Sequence, residues 1–231
     1  MHVLVIDIGG SHVKLAVSGT TLRHQFDSHR ELTPAAAVDA IQALNWTFDV
    51  VSIGYPGRVG PRGPLAEPGN LGTGWVDFDF ARAFNRPVRV INDAAMQALG
   101  AYEGARMLFL GLGTGLGSTL VTERVLVPLE LGDLPGTQGG PLSGQLGREG
   151  LERHGHEAWN RTVLEIVPIL KRAFLADYVV LGGGNAGRVE PLPADTRRGG
   201  NDDALTGGDR LWRELVEPHE QRPSPFWRVV E

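Results

Sequence analysis

The sequence predicts an α/β protein built as two similar halves that face each other across a polyanion. Three observations predict it. First, two glycine-rich turns, Asp7-Ile8-Gly9-Gly10-Ser11 and Gly111-Leu112-Gly113-Thr114-Gly115-Leu116-Gly117-Ser118, each follow a short apolar run of strand character, Val3 to Ile6 and Met107 to Leu110. A turn bare of side chains lets backbone N–H groups close around phosphate oxygens, and Ser or Thr hydroxyls add donors. Second, another β-prone run follows each turn, so both halves read strand–turn–strand although their residues barely match. Third, helix signals alternate with further strands behind each hairpin.

The elements follow in order. Val13 to Val17 returns from the first turn, and Thr20-Thr21 opens a third strand toward Phe26. Thr33-Pro34 starts a helix by the cap-then-proline rule, with Val38, Ile41 and Leu44 on its apolar face. Asp49 to Ile53 is a strand ending at Gly54-Tyr55-Pro56-Gly57, Phe80 to Phe84 a short helix, Val88 to Ile91 a strand, and Ala95 to Tyr102 a helix. In the second half, Met107 to Leu110, Thr119 to Thr122 and Val125 to Pro128 are strands around the Gly turn. Leu131 to Gly150, rich in Gly and Pro, is expected to be loop. Helices are expected over Leu151 to His154 and Glu157 to Phe174, then a strand over Asp177 to Leu181 ending in Gly182-Gly183-Gly184-Asn185. Pro191 to Asp203 is expected to be irregular, Ala204 to Leu215 a last helix, and the tail with Pro218, Pro223 and Pro225 extended.

Composition narrows the function classes. At 231 residues the chain suits one large domain or two small ones, and 42% apolar with 21% charged residues is ordinary for a globular protein. A net charge of −5 argues against a nucleic-acid surface. Zero cysteines exclude disulfides, a thiol nucleophile and Cys-ligated zinc. With no signal-peptide pattern and no apolar run near the roughly 20 residues that span a bilayer, the expectation is a soluble, cytoplasmic protein without a membrane partner. Glycine, at 32 residues, has roughly twice its usual share. Part of that excess gathers at strand ends, where a ligand can approach bare backbone.

The residues at those strand ends carry the chemistry. Asp7 meets its turn where a carboxylate can hold Mg²⁺ through water beside phosphates bound by Gly9, Gly10 and Ser11. Lys14 on the outgoing strand can aim its ammonium at the same charge; equally, Asp and Gly can serve only to make a hairpin turn. Asn92-Asp93 joins a strand to a helix. A carboxylate there can take a proton from a substrate hydroxyl during phosphoryl transfer, and the same dipeptide also suits plain helix capping. Glu130 and Asp133 are carboxylates able to accept hydrogen bonds from sugar hydroxyls, or simply to be solvated. Asn70 is a hydroxyl-binding type, whereas nearby Trp75 reads as core. Gly182, Gly183 and Gly184 suit a flat base or ribose packed on bare backbone, or a helix-starting turn. His154 and His156, two apart, share no helix face and read as surface residues, and Arg197-Arg198 reads as solvated.

In that order these pieces resemble the ROK family of sugar kinases, within the actin/hexokinase-like superfamily, and most nearly the bacterial polyphosphate or ATP glucokinases. The matching segments are VLVIDIGGSHVKLAV, VSIGYPG, GNLGTGW, PVRVINDA, LFLGLGTGLGS, PLELG and VVLGGGNA. The resemblance implies a two-lobed actin/hexokinase-like (ribonuclease H-like) α/β fold with an interdomain cleft. It implies an N-terminal lobe over 1–94 and a C-terminal lobe over 95–231, with the last helix (about 204–215) packing back on the N-terminal lobe. It implies phosphoryl transfer from ATP or polyphosphate, with Mg²⁺, to the 6-hydroxyl of a hexose such as glucose, and homodimers are common in the family. On this likeness Asp7, Gly9, Gly10, Ser11 and Lys14 form the first phosphate turn, and Gly113, Thr114 and Gly115 the second. Gly182, Gly183 and Gly184 cover the adenosine. Asn70, Asn92, Asp93, Glu130 and Asp133 line the sugar, and Asp93 is the base.

Three features depart from the family pattern. Where the family reads Glu-x-Gly-His, this chain has Glu130-Leu131-Gly132-Asp133. The Cys-rich zinc motif of many members is absent, and the sequence opens on the first kinase strand without a helix-turn-helix, so a repressor is not expected. Two alternatives carry weight beside the sugar kinase: a non-catalytic sugar- or nucleotide-binding homologue, and a kinase for a different hydroxylated small molecule.

Overall fold

The computed structural model describes residues 1–122, 125–200 and 202–213, together with the backbone of the strands at 215–218 and 227–230. In the first half, β1 (Val3–Ile8), β2 (His12–Val17) and β3 (Arg23–Asp27) form an antiparallel meander. α1 (Pro34–Gln42) leads to β4 (Val50–Tyr55), followed by the small ribbon of β5 (Val59–Gly60) and β6 (Gly63–Pro64), then α2 (Phe80–Phe84) and β7 (Val88–Asn92). β4 and β7 add in parallel beyond β1, and the sheet order is β3-β2-β1-β4-β7. β4 is buried at all six residues while edge strand β3 is largely exposed. A strand covered on both faces is continuously apolar, and a charged edge resists pairing with other chains.

The second half repeats this order. After α3 (Asp93–Ala101), the strands β8 (Met107–Leu112), β9 (Leu116–Thr122) and β10 (Val125–Leu129) form the meander. α4 (Leu142–Leu146) and α5 (Arg148–Ala173) lead to β11 (Tyr178–Gly182) and β12 (Thr196–Arg198), which add in parallel beyond β8. The series β10-β9-β8-β11-β12 therefore has the order and directions of β3-β2-β1-β4-β7. After α6 (Asp203–Arg213), β13 (Leu215–Pro218) and β14 (Trp227–Val230) extend this sheet next to β10.

The repetition makes α3 and α6 equivalent helices, each following the last parallel strand of its half, and they pack on one another. They meet backbone to backbone: a Cβ on Gly100 would lie 1.8 Å from the Asp203 carbonyl oxygen, and one on Gly207 1.8 Å from that of Met96. A central core joins α3 and α6 to Val3, Val5 and Val50 of the first half and Met107, Phe109, Val121 and Val180 of the second. Separate apolar cores lie on the outer faces, around Trp75 and Ile53 in the first half and around Trp159 and Leu110 in the second. α6 also reaches the first sheet: Ser52 Oγ donates to the Gly208 carbonyl at 2.6 Å, and Trp212 Nε1 donates to Ser52 Oγ at 2.9 Å.

Thr33 caps α1 by accepting from the Ala36 N–H, as the cap-then-proline signal predicts. Two expectations are corrected. The stretch 131–150 is not plain loop: it holds a 3-10 turn (Leu131–Asp133), α4 and the start of α5. Its glycines permit close packing, since a Cβ on Gly147 would meet the Ser143 and Thr114 carbonyl oxygens at 2.5 and 2.6 Å. The two helices expected on either side of Gly155 are present, meeting at a kink where that residue leaves the helical conformation with φ 75°, ψ 166°. The stretch expected to be irregular contains β12, in which Arg197 is partly buried and Arg198 is exposed. Arg197 donates to the Ala101 carbonyl, and Arg198 Nη2 donates to that of Val189 at 2.8 Å. Of the tail prolines, Pro218 ends β13, while Pro223 and Pro225 lie outside the described residues. Trp75 is core, with no exposed surface. His154 and His156 are exposed, and His156 Nε2 lies 2.7 Å from the Arg188 carbonyl oxygen.

Candidate active site

β1 carries Asp7 near its end, opposite Lys14 of β2 and beside Gly54 of β4. The turn that follows closes on itself: Gly9 N–H donates to the His12 carbonyl at 2.9 Å, and Ser28 Oγ donates to the Gly9 carbonyl at 2.8 Å. Asp7 Oδ1 is buried without a hydrogen-bond partner. Burial pushes this carboxyl up to about 6, against the opposing pull of the Lys14 ammonium.

β7 delivers Asn92 and Asp93 to the same end of the sheet. Asn92 caps α3, its Oδ1 accepting from Ala95 N–H at 3.0 Å, and its Nδ2 donates to the Gly57 carbonyl at 3.1 Å. Asp93, the first residue of α3, packs over Gly54: a Cβ there would lie 3.4 Å from Asp93 Cα and 2.5 Å from Met96 Cε. The missing side chain at 54 lets Asp93 sit beside Asp7. Burial raises the Asp93 carboxyl to about 7, with the nearby Asp7 and Glu130 charges adding to the rise and the Ala94 N–H opposing it. That N–H donates to Asp93 Oδ1 at 2.8 Å.

The second turn, between β8 and β9, also bonds to itself, Gly113 N–H being shared between the Gly111 and Gly115 carbonyls at 3.1 Å each. It touches the first turn. A Cβ on Gly10 would lie 2.7 Å from Thr114 Oγ1 and 3.0 Å from Asn70 Nδ2, so the two turns and the Asn70 loop converge on one point. Glu67 shapes that loop by accepting the Trp75 and Val76 N–H groups at 3.0 and 3.3 Å.

Ser118 follows the second turn on β9. It is buried, donates to the Leu129 carbonyl at 2.8 Å and accepts from Leu131 N–H at 3.1 Å, bracing the loop that carries Glu130. The Glu130 carboxyl is held above its usual range by burial and by Asp133, with Arg58 opposing. Asp133 closes the 3-10 turn, its N–H donating to the Glu130 carbonyl at 3.1 Å. Gly182 pairs with Gly111 across β11 and β8. Gly183, at φ +78°, packs on the Leu112 backbone, where a Cβ would fall 2.7 Å from the carbonyl. Asn185 N–H donates to the Leu112 carbonyl at 2.9 Å, so Gly182, Gly183 and Gly184 border the second turn.

Sequence reasoning missed Arg148, which lay in a stretch read as loop and belongs to no motif. Its Nη2 donates to Ser11 Oγ at 3.1 Å, and its backbone N–H donates to the Gly113 carbonyl at 3.0 Å. A cavity of about 260 Å³ adjoins the second turn, lined by Thr114, Gly115, Ser143, Gly144 and Arg153 among others.

Solved structures share this fold. An inorganic polyphosphate/ATP-glucomannokinase from Arthrobacter sp. strain KM superposes with a TM-score of 0.76 at 23% identity, over 89% of this chain and 96% of its own. A ROK family glucokinase from Streptomyces griseus, in complex with glucose and AMPPNP, gives 0.73 at 18% identity over 92% and 99%. A ROK family transcriptional regulator, homolog of E. coli MLC protein, gives 0.66 at 15% identity over 90% and 76%. No curated protein sequence matches significantly. The family profile described as ROK family matches residues 3–127. With that match over more than half its length, and with an actin/hexokinase-like fold shared with ROK kinases, the chain belongs to the ROK family.

Proposed function

We propose that this protein is a sugar kinase, transferring a phosphoryl group from ATP or polyphosphate to the 6-hydroxyl of a hexose, with glucose the leading acceptor. The observation that carries the reading is the convergence at one end of β1, β4 and β7: a raised Asp93 carboxyl beside Asp7, where two glycine turns and Asn70 meet. Asp93, tuned near neutral pH, takes the proton as the acceptor oxygen attacks. Ala94 N–H holds Oδ1, which leaves Oδ2 for the hydroxyl. Asn70, Asn92 and Glu130 orient the sugar, with Asp133 at the rim. The turns carrying Gly9, Gly10, Ser11, Gly113, Thr114 and Gly115, with Lys14, hold the donor's phosphates, and Gly182, Gly183 and Gly184 flank its far end.

The orphaned, buried Oδ1 of Asp7 fits a hydrated divalent cation. Among the described residues no group of three or more His, Cys, Asp or Glu is set to hold a metal, so the protein's share falls on Asp7 through water. Mg²⁺ bound there would neutralise phosphate charge. The lobes in this reading are 1–94 and 95–231, and their closure would exclude water, which otherwise competes as nucleophile.

A coupled assay of hexoses crossed with ATP and polyphosphate tests the proposal. Asp93→Asn is expected to keep the fold and donor binding and to lose most transfer, on the order of 10²-fold or more. Turnover at the wild-type level in that variant would sink the mechanism. A second reading, a sugar-binding homologue without transfer, is favoured by Asp133 crowding Glu130. It predicts calorimetric binding of hexose with no product from either donor.

A further inference from the structure

We propose that Arg148 binds the donor's phosphate chain, acting as a cationic strap between the two glycine turns and releasing Ser11 when the donor enters. The proposal rests on the kinase reading of the site and adds a residue that no motif marks. Three contacts carry it. The Arg148 backbone is tied to the second turn through its N–H bond to the Gly113 carbonyl. Gly147 lets the chain lie against that turn, since any Cβ there would collide with the Thr114 carbonyl at 2.6 Å. From this anchored position the guanidinium crosses to the first turn and donates to Ser11 Oγ, 137 positions away in sequence.

The charge argument agrees. Neighbouring Arg153 is paired with Glu149, whereas among the described residues no carboxylate pairs with Arg148. An exposed guanidinium whose one side-chain bond goes to a neutral hydroxyl gains by exchanging it for a phosphate oxygen. Charge-assisted bonds are roughly twice as strong, and the guanidinium fork suits phosphate. Ser11 Oγ is freed by the same exchange to donate to the donor. Arg148 therefore reports that phosphate spans both turns.

Isothermal calorimetry with inorganic tripolyphosphate, with Mg²⁺–ATP and separately with glucose tests this on wild type, Arg148→Gln and Arg148→Lys. The position is exposed and opens a helix, so both variants should fold, as circular dichroism checks. Tripolyphosphate affinity is expected to fall about tenfold or more in Arg148→Gln and less in Arg148→Lys. Glucose affinity should not move, and donor KM should rise more than kcat falls. If Arg148→Gln binds tripolyphosphate as wild type does while wild type phosphorylates a hexose, the strap is wrong and the kinase reading stands. If binding depends on Arg148 but no hexose is phosphorylated, the strap stands and the kinase reading fails. Equal loss of glucose and tripolyphosphate binding would mark Arg148 as a structural brace and overturn the proposal. A wild type that binds no phosphate compound overturns both.

Discussion

Asp93 shows how one side chain couples chemistry to stability. Its carboxyl is raised from 3.8 to about 7, so the folded state holds the proton more tightly than the unfolded chain. Between about pH 4 and pH 7 the native state binds more protons, and stability falls as pH rises. Asp93→Asn removes that penalty: its melting temperature should exceed that of wild type at pH 8 by a few degrees and match it near pH 4. Calorimetric melts across that range check the sign. In wild type, kcat/KM should drop as pH falls below about 7, because the proposed base is then protonated. A rate flat from pH 8 to pH 5 would remove Asp93 from the base role. Asp133 tests the sugar end. It pushes the Glu130 carboxyl up, so Asp133→His should leave Glu130 more fully ionised and lower the hexose KM by several-fold, on the order of one hydrogen bond to a charged group. An unchanged hexose KM would take Asp133 out of the sugar site. Asp7, Asp93 and both glycine turns were legible in the sequence because each sits where an apolar run ends, a local signal. Arg148 was not, because its meaning lies in Ser11, far along the chain.

At the scale of elements, α3 and α6 hold the two halves together through absent side chains. Gly100 and Gly207 bring the two backbones into contact, and Gly208 abuts Val5 of β1, where a Cβ would fall 2.5 Å from Cγ1. A methyl group at these points must force the helices apart. Gly207→Ala is expected to destabilise by about 1–3 kcal/mol or more, the range for overpacked cores. Gly187→Ala, where an added Cβ meets nothing within 4 Å, should be near neutral. Urea melts of the two variants compare them, and equal midpoints would refute the tight crossing. Most strands and helices could be read from composition, since period and turn chemistry are local properties. α4 and β12 could not. α4 is five residues hidden among glycines that packing requires, and β12 is a three-residue strand, Thr-Arg-Arg, whose only strand signal is its partner β11.

For the whole molecule, the doubled five-strand order places two equivalent turns face to face, and their contact at Gly10 and Thr114 makes the site depend on both halves. Ligands that bridge the halves should stabilise the fold by mass action. In Asp93→Asn, where turnover is expected to be lost, glucose and tripolyphosphate each at about 100 times their Kd should each contribute about 2.7 kcal/mol. For a chain of this size each ligand should raise the melting temperature by roughly 5–10 °C. Differential scanning fluorimetry reads this directly, and no shift with either ligand would argue against a shared cleft.

The sequence by itself determined the strand ends, the two glycine-rich turns and the placing of the carboxylates Asp7 and Asp93 at strand ends, because turn residues and apolar runs act on their neighbours. Only the tertiary structure decided that Asp93 lies over Gly54 beside Asp7, that α3 and α6 cross on glycines, and that Arg148 reaches Ser11. Those relations depend on which distant segments pack together, and no local pattern encodes them.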